Sequence, residues 1–379
     1  MKKILIATLE HPPYIGGIAT YVDTLAQGLN TENNVVVWAP PHEKAVEFDA
    51  TRNYKIIRKN MLGPKWLWPR WIMTCLRMRA ICKKEQIDML MIHHVLPMGY
   101  AARFVKKVLK VPFILFSHGT DVVAASRTGW KKRMARGIAL TSDQIIANSE
   151  SLARRMLRPF PELSDKVTVV YPCPETDYYT SPPEADIEAM KDRLALQGKK
   201  VILSIARIAE GKGFPHLAAV MLEVVKKNPN VVWIVIGDGP KKDELLEVIN
   251  KNNLQNIVRY IGSVPHKDLK LFYYVADVFA LLTHPDHGIE EGLGLVFLEA
   301  AATGLPTIAG RSGGVEEAVA HMQTGIVVDT YQHKQGIDAV LTLIENDDFA
   351  HKLGTEGQAR VQANFNWDNQ LKRLDQWIH

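Results

Sequence analysis

Short apolar runs alternate along this chain with stretches in which apolar residues recur every three to four positions. The runs at 3–9, 34–39, 88–93, 112–117, 143–147 and 166–170 predict strands. Helical spacing falls between them, at about 18–30, 70–85, 98–110, 129–141 and 149–157. Alternation of this kind predicts a parallel α/β sheet, one Rossmann-like unit. A second series follows, with strands near 200–206, 231–237, 257–261, 276–282, 306–309 and 325–328 and helices that include 214–227, 240–252 and 292–303. Between the two lies YPCPETDYYTSPPEAD, residues 171–186, which is rich in proline and acid, lacks periodicity and reads as a linker. The predicted division is therefore 1–180, 181–361 and a last amphipathic stretch, 362–379. There Trp367, Leu371, Leu374 and Ile378 follow a possible cap at Asn366 at helical spacing.

Candidate chemistry concentrates in 284–317. Glu291 and Glu299 stand at the two ends of a turn, Gly292-Leu293-Gly294, that runs into an apolar helix over Leu295–Ala302. Glycine lets backbone approach a ligand closely, and the unpaired N–H groups of a helix start attract a phosphate. Glu299, about one turn into the helix, is placed to reach a ribose diol, and Glu291 in the loop to reach a hexose hydroxyl. Two cations, Arg207 and Lys212, sit where the strand of VILSIARIAEGKGF ends, suited to a leaving phosphate by a guanidinium fork and a point charge. The loop EHPPYIGGIATYV brings Gly16 and Gly17 to another helix start, and His118, Gly119, Thr120 and Asp121 follow the strand FILFS. Taken alone, the glycine pair reads equally as a tight turn, the histidine as a strand-end hydrogen-bonding group and Asp121 as a cap.

EGLGLVFLE, followed by ATGLPTIAG and SGG-x-x-E, resembles the Glu-x7-Glu signature of the family 4 glycosyltransferases. The wording is nearest to bacterial α-mannosyltransferases acting on phosphatidylinositol-type lipids. The resemblance implies the GT-B fold, with two Rossmann-like domains facing across a cleft that holds the active site, and transfer with retention of anomeric configuration. It implies an N-terminal acceptor domain, a C-terminal nucleotide-sugar domain and a last helix that crosses back to the N-terminal one. Arg207, Lys212, His118 and Glu291 become catalytic positions. Donor binding then extends to Gly16, Gly17, Gly262, Val264, Gly294, Leu295 and Glu299. The implied mechanism is attack of the acceptor hydroxyl on the face the diphosphate leaves, with Glu291 holding the sugar. GDP-mannose is the favoured donor, with a UDP-sugar as the alternative, and the acceptor is a saccharide or lipid-linked saccharide. No cofactor or metal is expected, since the sequence has no Asp-x-Asp triplet and no histidine–carboxylate group spaced as a metal site. The linker departs from the family's Pro-Asn-Gly-Val-Asp, reading Pro172-Cys173-Pro174-Glu175-Thr176-Asp177.

Charge adds a second theme. The net +5 divides into +11 for residues 1–180 and −6 for the remainder. No zinc-ligand spacing, recognition helix or RNP-like pattern accompanies the basic half, so nucleic acid is not the expected partner. Residues 50–84 hold ten Lys or Arg, no acid, and Trp66, Trp68 and Trp71, with Ile72, Leu76 and Met78 following at roughly helical spacing. That is the composition of an interfacial helix on an anionic membrane, although an ordinary helix resting on its own sheet has the same features. Three cysteines, Cys75, Cys82 and Cys173, form no disulfide framework, and no apolar run approaches the roughly 20 residues of a membrane span. A cytoplasmic protein, peripheral on the inner membrane face, is expected. A Rossmann oxidoreductase would need Gly-x-Gly-x-x-Gly after the first strand, and only Gly-Gly is present. The remaining alternatives are a GT-B phosphorylase or epimerase and a non-catalytic nucleotide-sugar-binding protein.

Overall fold

The computed structural model describes residues 1–119 and 129–378; Thr120 and Asp121 lie outside them. The chain divides into two compact units, one of Met1–Pro172 with the segment from Trp367 onward, the other of Cys173–Asn366.

In the first unit seven parallel strands run in the order β3-β2-β1-β4-β5-β6-β7. They are β1 (Lys3–Ala7), β2 (Asn34–Ala39), β3 (Lys55–Arg58), β4 (Met89–His93), β5 (Phe113–Ser117), β6 (Gln144–Ala147) and β7 (Val167–Val169). Because side chains alternate across a strand, Ile4 and Ile6 enter one core while Leu5 and Ala7 enter the other. Both faces are covered, which is why these strands read as unbroken apolar runs. β3 was not predicted. It is a four-residue edge strand, KIIR, with only two apolar positions, and its Lys55 and Arg58 are the kind of charges that protect an open edge.

The segment beyond Trp367 belongs to this unit as two short helices, Trp367–Lys372 and Asp375–Ile378, not one continuous helix. Leu374 and Ile378 are buried in the core that covers Ile4 and Ile6. Gln370 accepts from the Tyr171 N–H at 3.0 Å, and Arg373 donates to the Val169 carbonyl at 3.0 Å.

In the second unit six parallel strands run β10-β9-β8-β11-β12-β13: β8 (Lys200–Ile205), β9 (Val231–Ile236), β10 (Val258–Gly262), β11 (Val278–Leu281), β12 (Thr307–Gly310) and β13 (Gly325–Val328). Within the linker stretch a 3-10 turn, Thr176–Tyr179, buries the Tyr178 ring against this unit, and its carbonyl accepts from the Tyr274 hydroxyl at 2.7 Å. All three cysteines are buried, and no disulfide joins them.

Each sheet starts near its middle and grows first to one side, then to the other. The order therefore switches between β1 and β4 in the first unit and between β8 and β11 in the second. Loops diverge beyond the carboxyl ends of such a strand pair, and ligands of open α/β sheets bind there.

Candidate active site

At the β8/β11 switch the loop opened by Arg207 is clasped to the loop after β11. The His284 N–H donates to the Gly211 carbonyl at 3.0 Å, and Lys212 Nζ donates to Glu291 Oε2 at 2.5 Å. The side chains of that ion pair are 30% and 15% exposed, so it is screened only in part by water. Gly213 then starts the helix Phe214–Lys227 in the left-handed conformation, where a Cβ would stand 1.7 Å from the Leu282 carbonyl oxygen. Only glycine permits that approach.

Glu291 is fixed from behind by the loop after β12. Its N–H donates to Ser312 Oγ at 3.2 Å, and its carbonyl accepts from the Gly314 N–H at 3.1 Å. The turn between Glu291 and Glu299 stays non-helical as far as Gly294, whose φ of +86° ends it, so the helix is Leu295–Ala302 and does not begin at 292. That helix has no side-chain cap and no acid in its first turn, which leaves its partial positive charge directed at the turn. Arg207 is exposed and has no carboxylate partner among the described residues; it shares a loop with Lys212.

Glu299 is 2% exposed and already held by protein. Oε1 accepts from His266 Nε2 at 2.9 Å and Oε2 from the Tyr273 hydroxyl at 2.7 Å. Glu299 was predicted to face a ribose diol directly; a diol here would share oxygens that each already accept one bond. Gly262, at φ +81°, ends β10, and its carbonyl accepts from the Gly237 N–H at 2.8 Å; Val264 follows, half-buried, two residues before His266.

The first unit has its own cluster at the β1/β4 switch. His118 Nε2 lies 2.9 Å from His93 Nδ1, the two rings stack at 5.1 Å, and Tyr21 meets the His118 ring edge-on at 5.4 Å. Burial, and then the neighbouring His94, lower the His118 pKa to about 3, so its ring is neutral at physiological pH. His94 holds φ +94°, a conformation costly for a non-glycine residue and characteristic of sites where geometry outranks local stability. Gly16 caps the helix Gly17–Leu29 in extended backbone; that helix too lacks a side-chain cap and a first-turn acid.

His93, His94, His266, Tyr273 and Ser312 were not singled out from the sequence. The histidine doublet closing an apolar strand was the one local signal for any of them. His266 and Tyr273 reach Glu299 across 33 and 26 residues, a contact no spacing rule encodes.

The Glycosyltransferase Family 4 model matches residues 15–178, and that for glycosyl transferases group 1 matches 186–360. The GDP-mannose-dependent alpha-(1-6)-phosphatidylinositol monomannoside mannosyltransferase of Mycobacterium tuberculosis is 27% identical over 390 residues, covering 100% of this chain and 98% of its own length. The 2-deoxystreptamine N-acetyl-D-glucosaminyltransferase of Niallia circulans is 26% identical over 81% of this chain and 80% of its own. Among solved structures, HepE of Anabaena in complex with UDP-glucose superposes with a TM-score of 0.84 at 17% identity, covering 100% of this chain and 99% of that one. Sucrose-phosphate synthase of Thermosynechococcus elongatus gives 0.81 at 21% identity over 99% and 98%. With strands of one parallel sheet in each unit and both family models satisfied in turn, this chain belongs to glycosyltransferase family 4 and is a hexosyltransferase of the GT-B fold.

Proposed function

We propose that the protein transfers a hexose with retention from a nucleotide-diphosphate sugar, GDP-mannose in preference to a UDP-sugar, to a saccharide or lipid-linked saccharide. The observation that carries this reading is the Lys212–Glu291 pair set beside the uncapped helix start at Gly294. A departing diphosphate develops negative charge, and in this reading Lys212, Arg207 and the N–H groups at Gly294–Leu295 neutralise it in place of a divalent ion. Glu291 then turns from Lys212 to the hexose hydroxyls. The acceptor hydroxyl attacks from the face the diphosphate leaves, whose oxygen takes the proton. His118, neutral and braced by His93, donates to or accepts from the hexose and does not shuttle a proton. Gly16 and Gly17 lie against the donor diphosphate, Gly262 and Val264 offer backbone to the base, and Glu299 takes the ribose. The name of the mycobacterial relative supports GDP-mannose, and that of the UDP-glucose complex keeps the alternative in view.

A melting-temperature panel of nucleotide sugars tests the donor, because a ligand of the folded state alone raises apparent stability. GDP-mannose at about 100 times its Kd is expected to add about 2.7 kcal/mol. If no GDP- or UDP-sugar shifts the transition at millimolar concentration, the donor reading is wrong.

The segment 50–84 supports a peripheral membrane role in part only. Trp66 and Trp68 are 83% and 87% exposed, and Ile72 and Leu76 also face outward. Met78, by contrast, is fully buried and Trp71 stacks on Tyr100 at 4.7 Å, so the helix Trp71–Glu85 rests its inner stripe on its own unit. Acids from elsewhere also neutralise part of the basic run: Asp23 pairs with Arg52, Glu85 with Lys55 and Asp49 with Arg58. Lys59, Lys65, Lys83 and Lys84 remain exposed without an acidic partner among the described residues. At about 1 kcal/mol per surface cation plus two tryptophan anchors, binding to vesicles containing anionic phospholipid should be measurable and salt-sensitive. Substituting Trp66 and Trp68 together by alanine should weaken it; equal sedimentation with neutral and anionic vesicles at low salt excludes the role. Among the described residues no helix is long and apolar enough to cross a membrane.

A further inference from the structure

We infer that His266, together with Tyr273, is a positioning residue for the donor: it fixes the Glu299 carboxylate for a ribose diol and ties the linker residue Glu175 to the same point. The inference rests on the reading of Glu299 as the ribose ligand.

The geometry is specific. His266 Nε2 lies 2.9 Å from Glu299 Oε1, and its Nδ1 lies 3.3 Å from Glu175 Oε1. A carboxylate accepts only, so a ring facing one at each nitrogen donates twice and is an imidazolium. Burial opposes that charge, but the hydrogen bonds and fields of Glu175 and Glu299 outweigh it and push the His266 pKa up to about 10. The other titratable groups around the ring are Tyr273, which donates to Glu299 at 2.7 Å, and Tyr178, whose ring centroid is 6.0 Å away; both phenols are buried and protonated. Glu299 thus receives one donor on each oxygen and keeps one lone pair on each, a pair of parallel acceptors matched to a vicinal diol.

The same contact gives the linker acid a partner. Glu175 meets the histidine that holds Glu299. Lys270 approaches Asp177 at 3.7 Å one step further along. One imidazolium therefore bridges the linker carboxylate and the donor-site carboxylate, so the buried Glu299 is not left without a cation, while Glu175, partly exposed, also meets water.

The test is calorimetric titration of the full chain with GDP and UDP, each beside its 2′-deoxy form. The parent is expected to prefer the ribonucleotide. His266→Ala should lose about tenfold of that preference, the value of one hydrogen bond to a charged group, with affinity for the 2′-deoxy form nearly unchanged. A merely structural role would weaken both forms alike. Tyr273→Phe should lose part of the preference, and His266→Gln, which keeps a donor, should restore part of what alanine loses; these two carry the test should the alanine variant not fold. Glu299→Gln separates the two layers of the argument. If it leaves the ribose preference intact, the reading of Glu299 fails and the inference with it. If it abolishes the preference while His266→Ala and Tyr273→Phe retain it, the inference alone is overturned. Binding of neither GDP nor UDP overturns both.

Discussion

Lys212→Ala should lower kcat/KM for sugar transfer by about a hundredfold to a thousandfold, the cost of removing one preorganised charge from a leaving group. The melting temperature should fall little, because the cation is 30% exposed and its partner Glu291 keeps both backbone bonds to Ser312 and Gly314. A part-exposed ion pair contributes on the order of 1 kcal/mol to folding. The two readouts therefore separate a chemical role from a structural one. Lys212→Arg should recover part of the rate, since it restores charge but not the compact ammonium that fits between Glu291 and a phosphate. Turnover within about threefold of the parent in the alanine variant would remove Lys212 from the mechanism. Lys212 and Glu291 neutralise each other in the structure; in the proposed mechanism a diphosphate takes the lysine and Glu291 turns toward the hexose. Glu291→Ala should accordingly suppress transfer with little loss of nucleotide binding, unlike Lys212→Ala, which should weaken both.

Gly313→Ala should destabilise the second unit strongly and at the candidate site itself. Gly313 holds φ +54°, and a Cβ there would lie 2.0 Å from the Glu291 carbonyl oxygen and 3.1 Å from the Glu290 Cβ. The left-handed conformation alone costs alanine about 1 kcal/mol. The overlap is with backbone, so relief requires the loop after β12 to separate from the loop after β11, breaking the Gly314-to-Glu291 bond. The expected loss exceeds about 3 kcal/mol, with donor binding lost alongside. Gly129→Ala is the control: a Cβ there meets nothing within 4 Å among the described residues, and stability should stay within about 0.5 kcal/mol of the parent. An unchanged transition in Gly313→Ala would show that the two loops are not braced as described.

The alternation of apolar runs disclosed the two parallel sheets because every central strand is covered on both faces. β3 escaped because an edge strand needs fewer apolar positions; its two central residues, Ile56 and Ile57, are too short a run to register. The helix after Glu291 was read correctly as Leu295–Ala302 from its glycine turn, although the coarser periodicity ran from 292 to 303. The last amphipathic stretch was read as continuous, yet the chain turns after Lys372, with the Leu374 N–H returning to the Leu371 carbonyl at 2.7 Å. Site legibility followed the same logic. Arg207, Lys212, Glu291 and Gly294 lie on two strand-end loops, and strand ends are local features. What was not legible was tertiary: the bond from Lys212 to Glu291, the brace of His118 by His93, and the capture of Glu299 by His266 and Tyr273. The basic run 50–84 reads as acid-free for a related reason, because its partners Asp23 and Asp49 precede it and Glu85 follows it.

The return of Trp367–Lys372 and Asp375–Ile378 to the first unit has a consequence for biosynthesis. Leu371 occupies the space beside Gly28, and Leu374 and Ile378 seal the apolar layer against β1. Everything from Cys173 to Asn366 must be synthesised before those side chains exist. The half made first is therefore the half completed last, and during elongation it carries an open seam that a chaperone or a neighbouring nascent chain can reach.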